Sequence, residues 1–221
     1  MPTHPFQPSG LNADSKTLIL GSFPSVASRE MGFYYAHPQN RFWKVLGTLF
    51  DDKSIAQNLA PNPASLKHTK QKTITSPENQ ALINNIAAKT AFLQSHSLVL
   101  WDIVQTCEII GSSDSSLKNI AFNDIFVLLS SSKIKTICLN GTKASALFQK
   151  YCKNLDFPLT AQTKEYYKIL IPPPSFSQKF NRNISFFSLP STSPTNAKTN
   201  LQKLLISWQI LLYFGIRLRE Q

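Results

Sequence analysis

The sequence predicts an α/β protein, with helices on both faces of a mostly parallel sheet of four to five strands in a three-layer α/β/α sandwich. Short continuous apolar runs such as 17–20 and 97–104 are typical of strands that are buried on both faces. These runs alternate with amphipathic helical patterns, which favours parallel strands joined by helices. At 221 residues the chain can bury one good core. We therefore expect a lead-in at 1–16 and a single domain over 17–221.

The first strand, its loop and the following helix share one stretch near the N-terminus. The apolar run 17–20 breaks at the sequence GSFPS, residues 21–25. Apolar residues then recur at helical spacing, at Phe42, Val45, Leu46, Leu49 and Phe50. Pro38 suits the first turn of this helix, which would place Asn40 in the same turn. Ligands of open α/β sheets bind where loops leave the carboxyl ends of strands, so the loop 21–41 is the candidate site.

In the middle of the chain, the sequence predicts a polar surface excursion over 51–75, followed by a helix and a strand. The basic residues of the excursion could contact a polyanion, although a solvated loop is the commoner meaning of such a run; they are Lys67, His68, Lys70 and Lys72. Ser76 is a good N-cap for the helix. The run 97–104 is interpreted as a central parallel strand with Asp102 at its carboxyl end.

The C-terminal half continues the alternation of strands and helices. A Gly/Ser-rich turn at 111–116 is expected to lead into a helix over 117–130. Further strands are predicted at 134–139, 167–171 and 184–189, the last being either a continuation of its predecessor or a separate edge strand. Ser193 can cap the final helix, with Pro194 at its first position.

The loop 21–41 has an unusual composition. It carries hydroxyls and aromatic rings together with an imidazole and an amide: Ser22, Ser25, Phe23, Tyr34, Tyr35, His37 and Asn40. It contains no lysine, and Glu30 is its only carboxylate. A loop of this kind is suited to binding a flat, neutral ring, and nucleobases are such rings.

The overall composition limits the partners and the location. A net charge of +11 and a pI near 9.7 favour a polyanionic partner, since clustered Lys and Arg neutralise phosphates; the alternative is a merely basic surface. Lys179, Arg182 and Lys198 are further candidate phosphate contacts. The three cysteines have no zinc or iron–sulfur spacing and fit a reducing cytosol. We find no signal peptide and no apolar run long enough to span a bilayer, so we expect a cytoplasmic protein, associated with the nucleoid if it is bacterial.

Several motifs resemble one known superfamily. The segments GSFPS and YYAHPQNRFW are similar to the first motif of the uracil-DNA glycosylase superfamily, and most closely to its family 6, the hypoxanthine-DNA (DNA-deoxyinosine) glycosylases. Similarity continues through LVLWDIV, GSSDSSLKNIAFNDI, CLNGTKASALF and LPSTSPTNA, and so covers most of the chain. The mismatch-specific uracil-DNA glycosylases have a comparable second segment, but their catalytic Asn stands where this chain has Phe23.

The resemblance implies a monofunctional glycosylase that flips a deaminated base out of double-stranded DNA and hydrolyses its glycosidic bond as a monomer, without metal or cofactor. It implies that Asn40 positions water, that Tyr35 stacks on the base, and that Asp102 reads it. The first-motif residues Gly21, Ser22, Phe23, Pro24 and Ser25 would complete the base site. The loop of Ser191, Thr192, Ser193, Pro194 and Thr195 would clamp a phosphate and enter the minor groove.

Each of these residues also has a structural interpretation. Asn40 could bond backbone groups at a helix start, Tyr35 could be a core residue, and Asp102 could be a cap. Two other functions stay open, a uracil or mismatch-type glycosylase and a DNA-binding relative without catalysis. An unrelated hydrolase is disfavoured, because no GxSxG elbow is recognisable.

Overall fold

The computed structural model describes residues 1–56, 77–110 and 116–216. Its strands are β1 (Thr17–Gly21), β2 (Leu98–Asp102), β3 (Val104–Glu108), β4 (Lys118–Phe122), β5 (Thr136–Asn140), β6 (Thr160–Thr163), β7 (Lys168–Ile171) and β8 (Ser185–Leu189). Its helices are α1 (Val26–Met31), α2 (Phe42–Leu49), α3 (Pro77–Ser95), α4 (Ile125–Ser130), α5 (Thr142–Asn154), α6 (Pro174–Phe180), α7 (Leu201–Trp208) and α8 (Ile210–Ile216). None of the helices in these ranges is long and apolar enough to cross a bilayer.

The central sheet confirms the predicted α/β class. Its strand order within the described residues is β2-β1-β5-β8-β7-β6. The first four strands are parallel to one another, whereas β7 and β6 continue the sheet in antiparallel pairing. The sheet thus has six strands in this part of the chain rather than the four to five predicted. The additional strand is β6, whose residues are all exposed, so it lacks the apolar pattern that marks a buried strand.

The core lies on both faces of the sheet, because alternate residues of a strand point to opposite faces. On one face, Leu18 and Leu20 of β1 pack in a cluster with residues of α4, α5 and α6. On the other face, Ile19 packs with residues of α2, α3 and α7. Helices therefore cover both faces, as a three-layer sandwich requires.

The prediction of one central strand over 97–104 is wrong in two respects. The run divides at Ile103 into β2 and β3, and β2 lies at the end of the sheet. Ile103 N donates to Gly21 O (3.0 Å), after which β3 leaves the sheet and pairs with β4 in a separate antiparallel ribbon. The apolar run does not reveal this division, because Ile103, where the run divides, and Val104, which follows it, are both fully buried.

The helix predicted over 117–130 is only half correct. Its first part is β4, and α4 begins at Ile125 after Asp124, whose side chain accepts from Val127 N (3.2 Å). The segment 184–189 is neither a continuation nor an edge strand, since β8 lies between β5 and β7. Parts of three other predictions fall outside the described residues: the basic excursion with Lys67, His68, Lys70 and Lys72, the cap at Ser76, and most of the turn 111–116.

The lead-in 1–16 packs along the outer edge of β2 and β3. Ser9 and Leu100 exchange two backbone hydrogen bonds of 2.9 Å, and His4 N donates to Gln105 O (2.6 Å). Gly10 has φ 82°, and a Cβ at this position would lie 2.6 Å from Leu93 Cβ. Only glycine therefore fits this close approach to α3. These contacts bring the N-terminal residues to the carboxyl end of β2.

Two helix starts differ from the prediction. Helix α2 begins at Phe42, so Asn40 precedes the helix rather than lying in its first turn. Helix α7 begins at Leu201 and is capped by Asn200, whose side chain accepts from Lys203 N (2.9 Å). Ser193 is consequently not a helix cap, and Pro194 is not the first helical residue.

Candidate active site

One pocket opens where the carboxyl ends of β1, β2, β5 and β8 meet. It is lined by eleven of the thirteen predicted site residues, namely Gly21, Ser22, Phe23, Pro24, Ser25, Tyr35, Asn40, Asp102, Ser191, Thr192 and Ser193. Ser28, Ile109 and Asn140 also line it and were not predicted, as does Tyr34, which the sequence indicated only as part of the candidate loop. Pro194 and Thr195 do not, and Thr195 instead lines a neighbouring cleft. The sequence motifs, far apart along the chain, thus converge on one site.

Asn40 occupies the turn between this pocket and α2. Its Oδ1 accepts a hydrogen bond from Phe42 N (3.0 Å), and its backbone N donates to His37 O (2.8 Å). Asn40 therefore bonds a backbone group at the start of the helix, as its structural interpretation predicted. A carbonyl oxygen can accept two hydrogen bonds, so this contact is compatible with acceptance from a water in the pocket.

Tyr35 forms part of the pocket wall in an unusual backbone conformation. Its φ is 54°, and a non-glycine residue in this region costs about 1–3 kcal/mol, which the surrounding structure must supply. The ring stacks on Phe42 with centroids 3.9 Å apart and planes 22° apart. Phe42 is fully buried, so the tyrosine ring is supported on one face by the core.

Gly21 and Asp102 are neighbours in register at the ends of β1 and β2. A Cβ at Gly21 would lie 2.2 Å from Asp102 Oδ1 and 3.1 Å from Tyr35 Oη. Glycine therefore provides the space in which the carboxylate lies against the strand. Any larger residue at this position would displace Asp102.

Asp102 pairs with a histidine from the lead-in. His4 Nε2 lies 2.8 Å from Asp102 Oδ2, and the two side chains are 1% and 4% exposed. No sequence pattern pointed to His4, because it precedes Asp102 by 98 residues. The nearby Tyr34 hydroxyl donates to Gln7 O (3.0 Å), and burial together with the Asp102 carboxylate raises the pKa of Tyr34 far above its ordinary value.

The first-motif loop is fixed by short-range contacts. Ser25 caps α1, with its Oγ accepting from Ser28 N (3.2 Å), and Ser28 Oγ accepts from Ala36 N (3.3 Å). Phe23 is buried, with its ring edge-on to that of His4 at 6.1 Å. Helix α1 lies within the segment that the sequence indicated as one long loop.

Arg41 and Asn140 hold the 191–199 loop over the pocket, and sequence reasoning missed both. The Arg41 guanidinium donates to four backbone carbonyl oxygens, those of Thr192, Ser193, Asn196 and Thr199. Asn140 Nδ2 donates to Thr192 Oγ1, and Asn140 Oδ1 accepts from Thr192 N, each at 3.0 Å. The sequence offered two signals: Arg41 directly follows Asn40, and Asn140 stands at the end of a predicted strand.

The family follows from comparison with known proteins. The model of the uracil DNA glycosylase superfamily matches residues 8–212, nearly the whole chain. The chain belongs to the uracil DNA glycosylase superfamily. At this level it is a DNA glycosylase, and the predicted superfamily is confirmed.

Relatives from two archaea are similar to this glycosylase. A hypoxanthine DNA glycosylase of Methanosarcina acetivorans is 30% identical over 138 residues, which are 62% of this chain and 70% of the relative. One of Methanosarcina barkeri is 24% identical over the same length and the same shares. The solution NMR structure of a candidate uracil DNA glycosylase from M. acetivorans has a TM-score of 0.57 at 20% identity, covering 94% of this chain and 96% of that one. The glycosylase shares the fold of that protein.

A wider cleft of about 600 Å³ adjoins the pocket of this glycosylase at Asn140 and Ser191. Its lining includes Lys143, Lys164 and Lys168, together with Glu165. Lys198, in the neighbouring loop, is exposed. These residues extend the basic surface next to the site.

Two of the basic residues predicted to contact phosphate also contact other parts of the protein. Arg182 donates to the carbonyl oxygens of Leu129 and Ile134, near the amino end of β5 and so at the opposite end from the pocket. That prediction is wrong for Arg182, because its guanidinium is used to join α4 to the start of β5. Lys179 lies over the ring of Phe126 at 5.8 Å.

Proposed function

We propose that the protein is a monofunctional DNA glycosylase that releases hypoxanthine from deoxyinosine in double-stranded DNA. The observation that carries this proposal is the Asp102 carboxylate, which lies in the same pocket as Asn40 and Tyr35. The names of the Methanosarcina relatives support the same base.

The carboxylate suits a deaminated base. Deamination of adenine replaces the exocyclic amine with a carbonyl and converts ring N1 from an acceptor into an N–H donor. An ionised carboxylate is only an acceptor. It therefore accepts from N1–H of hypoxanthine, but is repelled by the N1 lone pair of adenine. Backbone N–H groups in the loop from Gly21 to Ser25, other than at Pro24, which has none, are our candidates for donating to O6 or N7.

The aromatic wall suits a flipped base. An enzyme acting on a base within a duplex must extrude it into a pocket and compensate for the lost stacking. Tyr35, supported by Phe42, offers a ring face that contributes about 1–3 kcal/mol per stacked base. Phe23 occupies the position of the catalytic Asn of mismatch-specific enzymes, so it closes the pocket rather than reacting.

Asn40 is our candidate for positioning the attacking water. As the glycosidic bond breaks, the sugar gains oxocarbenium character and the departing base gains negative charge. The Asn40 carbonyl oxygen, oriented by Phe42 N, accepts from the water and directs its dipole toward the sugar. Among the described residues no lysine lines this pocket, which supports hydrolysis rather than a Schiff base and strand nicking.

The 191–199 loop is our candidate for holding the DNA beside the flipped nucleotide. Arg41 and Asn140 fix its backbone, so its hydroxyls and N–H groups meet a phosphate without prior ordering. The charged cleft beside the loop supplies a sequence-independent contribution to affinity.

A second candidate substrate is uracil, since its N3–H can also donate a hydrogen bond to Asp102. Duplexes that carry hypoxanthine, uracil or xanthine at one position distinguish the two after incubation and alkaline cleavage. We expect the highest rate with hypoxanthine, an intact abasic strand before alkali, and no loss with EDTA. Faster release of uracil would favour the second candidate. No release of any base would refute glycosylase action.

A further inference from the structure

We propose that His4, in the N-terminal lead-in, is a positioning residue for base recognition, because its imidazole fixes the orientation of the Asp102 carboxylate in the pocket. This inference rests on the proposed function, in which Asp102 reads the base. It makes the first residues of the chain part of the specificity-determining apparatus.

The contact is short and excluded from solvent. His4 Nε2 lies 2.8 Å from Asp102 Oδ2, while Oδ1 lies over Gly21 at the pocket wall. In the described part of the chain, His4 supplies the only side-chain hydrogen bond to this carboxylate. A carboxyl group rotates readily about its Cβ–Cγ bond, since terminal torsions of this type are broad. One buried donor on Oδ2 therefore decides where Oδ1 points.

The imidazole is itself held in place. Its Nδ1 accepts from Phe6 N (3.2 Å) in the tautomer that carries the ring hydrogen on Nε2, and in this tautomer Nε2 donates to the Asp102 carboxylate. The ring packs against Phe23 and Tyr34, each with centroids 6.1 Å away. The backbone bonds of His4 to Gln105 and of Ser9 to Leu100 fix the segment on either side.

This arrangement has a consequence for base choice. If the carboxylate rotates, the acceptor no longer meets the ring N–H that distinguishes hypoxanthine from adenine. Phosphate contacts are unaffected, because they do not involve Asp102. Loss of His4 should therefore reduce discrimination between bases while leaving general DNA affinity unchanged. If His4 had only a structural role, its loss would reduce the stability of the protein and would not change the preference between bases.

The test compares His4→Phe, Asp102→Asn and the double variant. Phenylalanine preserves the ring packing but donates no hydrogen bond. The readout is equilibrium binding of two non-cleavable duplexes, with 2′-fluoro deoxyinosine or 2′-fluoro deoxyadenosine at one position. The second readout is kcat/KM for base release from a deoxyinosine duplex. We expect His4→Phe to reduce both the preference for deoxyinosine and kcat/KM by roughly 10- to 100-fold, as for loss of a hydrogen bond to a charged group. The double variant should be no worse than Asp102→Asn, because His4 acts through Asp102.

Two further variants separate positioning from folding. His4→Gln presents an amide N–H at a similar reach and should restore most of the preference. His96→Phe is the matched control, since this histidine packs on Phe50 and Phe92 at the end of α3 and does not line the pocket. It should leave the preference unchanged.

The outcomes are distinct. A wild-type protein that shows no preference for deoxyinosine refutes the proposed function and this inference together. A wild-type preference that survives in His4→Phe refutes the inference alone. Effects of His4→Phe and Asp102→Asn that multiply in the double variant also refute it, because His4 would then act independently of Asp102.

Discussion

Asn40→Ala removes an amide that lines the pocket, and with it the oxygen that accepts a hydrogen bond from Phe42 N, at the first residue of α2. If the amide positions water against the sugar, single-turnover cleavage of a hypoxanthine duplex should fall by about 10²–10³, equivalent to roughly 2.7–4 kcal/mol for loss of one preorganised polar group. The lost bond to Phe42 N should also reduce the free energy of unfolding, by about 1 kcal/mol as for a helix N-cap. DNA affinity should change far less, because phosphate contacts lie elsewhere.

The structure offers a matched control for the loss of stability. Asn200 is the N-cap of α7, whereas Asn40 lies one residue before the N-cap of α2, but each side chain accepts from a backbone N–H of the first helical turn. The Asn200 Oδ1 lies 2.9 Å from Lys203 N, and Asn200 does not line the pocket. Asn200→Ala should therefore lower the melting temperature about as much as Asn40→Ala and leave cleavage near the wild-type rate. Asn40→Asp keeps an acceptor for both Phe42 N and the water, so it should retain part of the rate.

The assay is cleavage at saturating enzyme, with circular dichroism to confirm the fold of each variant. A near-wild-type rate for Asn40→Ala would refute the reasoning and leave Asn40 with its structural role alone. An equal loss of rate in Asn200→Ala would also refute it, since destabilisation would then explain the result.

Four other perturbations test the rest of the site. Gly21→Ala places a Cβ 2.2 Å from Asp102 Oδ1, so cleavage of hypoxanthine should fall at least about tenfold while affinity for undamaged DNA is retained in a gel-shift assay; unchanged cleavage would contradict this. Arg41→Lys loses the fork of donors that holds the 191–199 loop, so KM should rise and the melting temperature should fall. Lys198→Gln should reduce the slope of log affinity against log salt by about one if this exposed lysine contacts a phosphate, and an unchanged slope would exclude the contact. Burial lowers the pKa of Lys89 from 10.5 to about 8, so the folded state binds this proton less tightly than the unfolded chain, and stability is lost as pH falls from about 10.5 to about 8, where the loss is complete. The stability of Lys89→Met relative to wild type should therefore be about 2 kcal/mol greater at pH 7 than at pH 9.5, measured by urea unfolding.

The sequence predicted the elements whose signals are local. Continuous apolar runs identified β1, β5 and β8, because parallel strands covered on both faces need apolar residues at every position. The same signal failed at 97–104, where burial continues across the change from sheet to ribbon. It also failed at β6, which is exposed throughout.

The candidate site was predictable at residues whose type suggests a chemical role, and not at residues that only support them. Asn40 and Asp102 stand in recognisable motifs, whereas Arg41 acts on backbone carbonyl groups, which every residue possesses. His4 contacts Asp102 across 98 residues, and no spacing rule predicts such a pair. Supporting contacts of this kind become visible only when the chain is folded.

The register between β1 and β2 explains why these supports meet at one point. Gly21 pairs with Asp102 at the last position of both strands, so the two loops that leave the sheet begin side by side. Asp102 shares the alternation of Leu98 and Leu100, which face the layer that contains Tyr34 and Phe42. A slip of one residue would turn Asp102 to the opposite face and remove the acceptor from the pocket. The Ser9 and Leu100 bonds pin the lead-in to the same strand, so the register that places Asp102 also places His4.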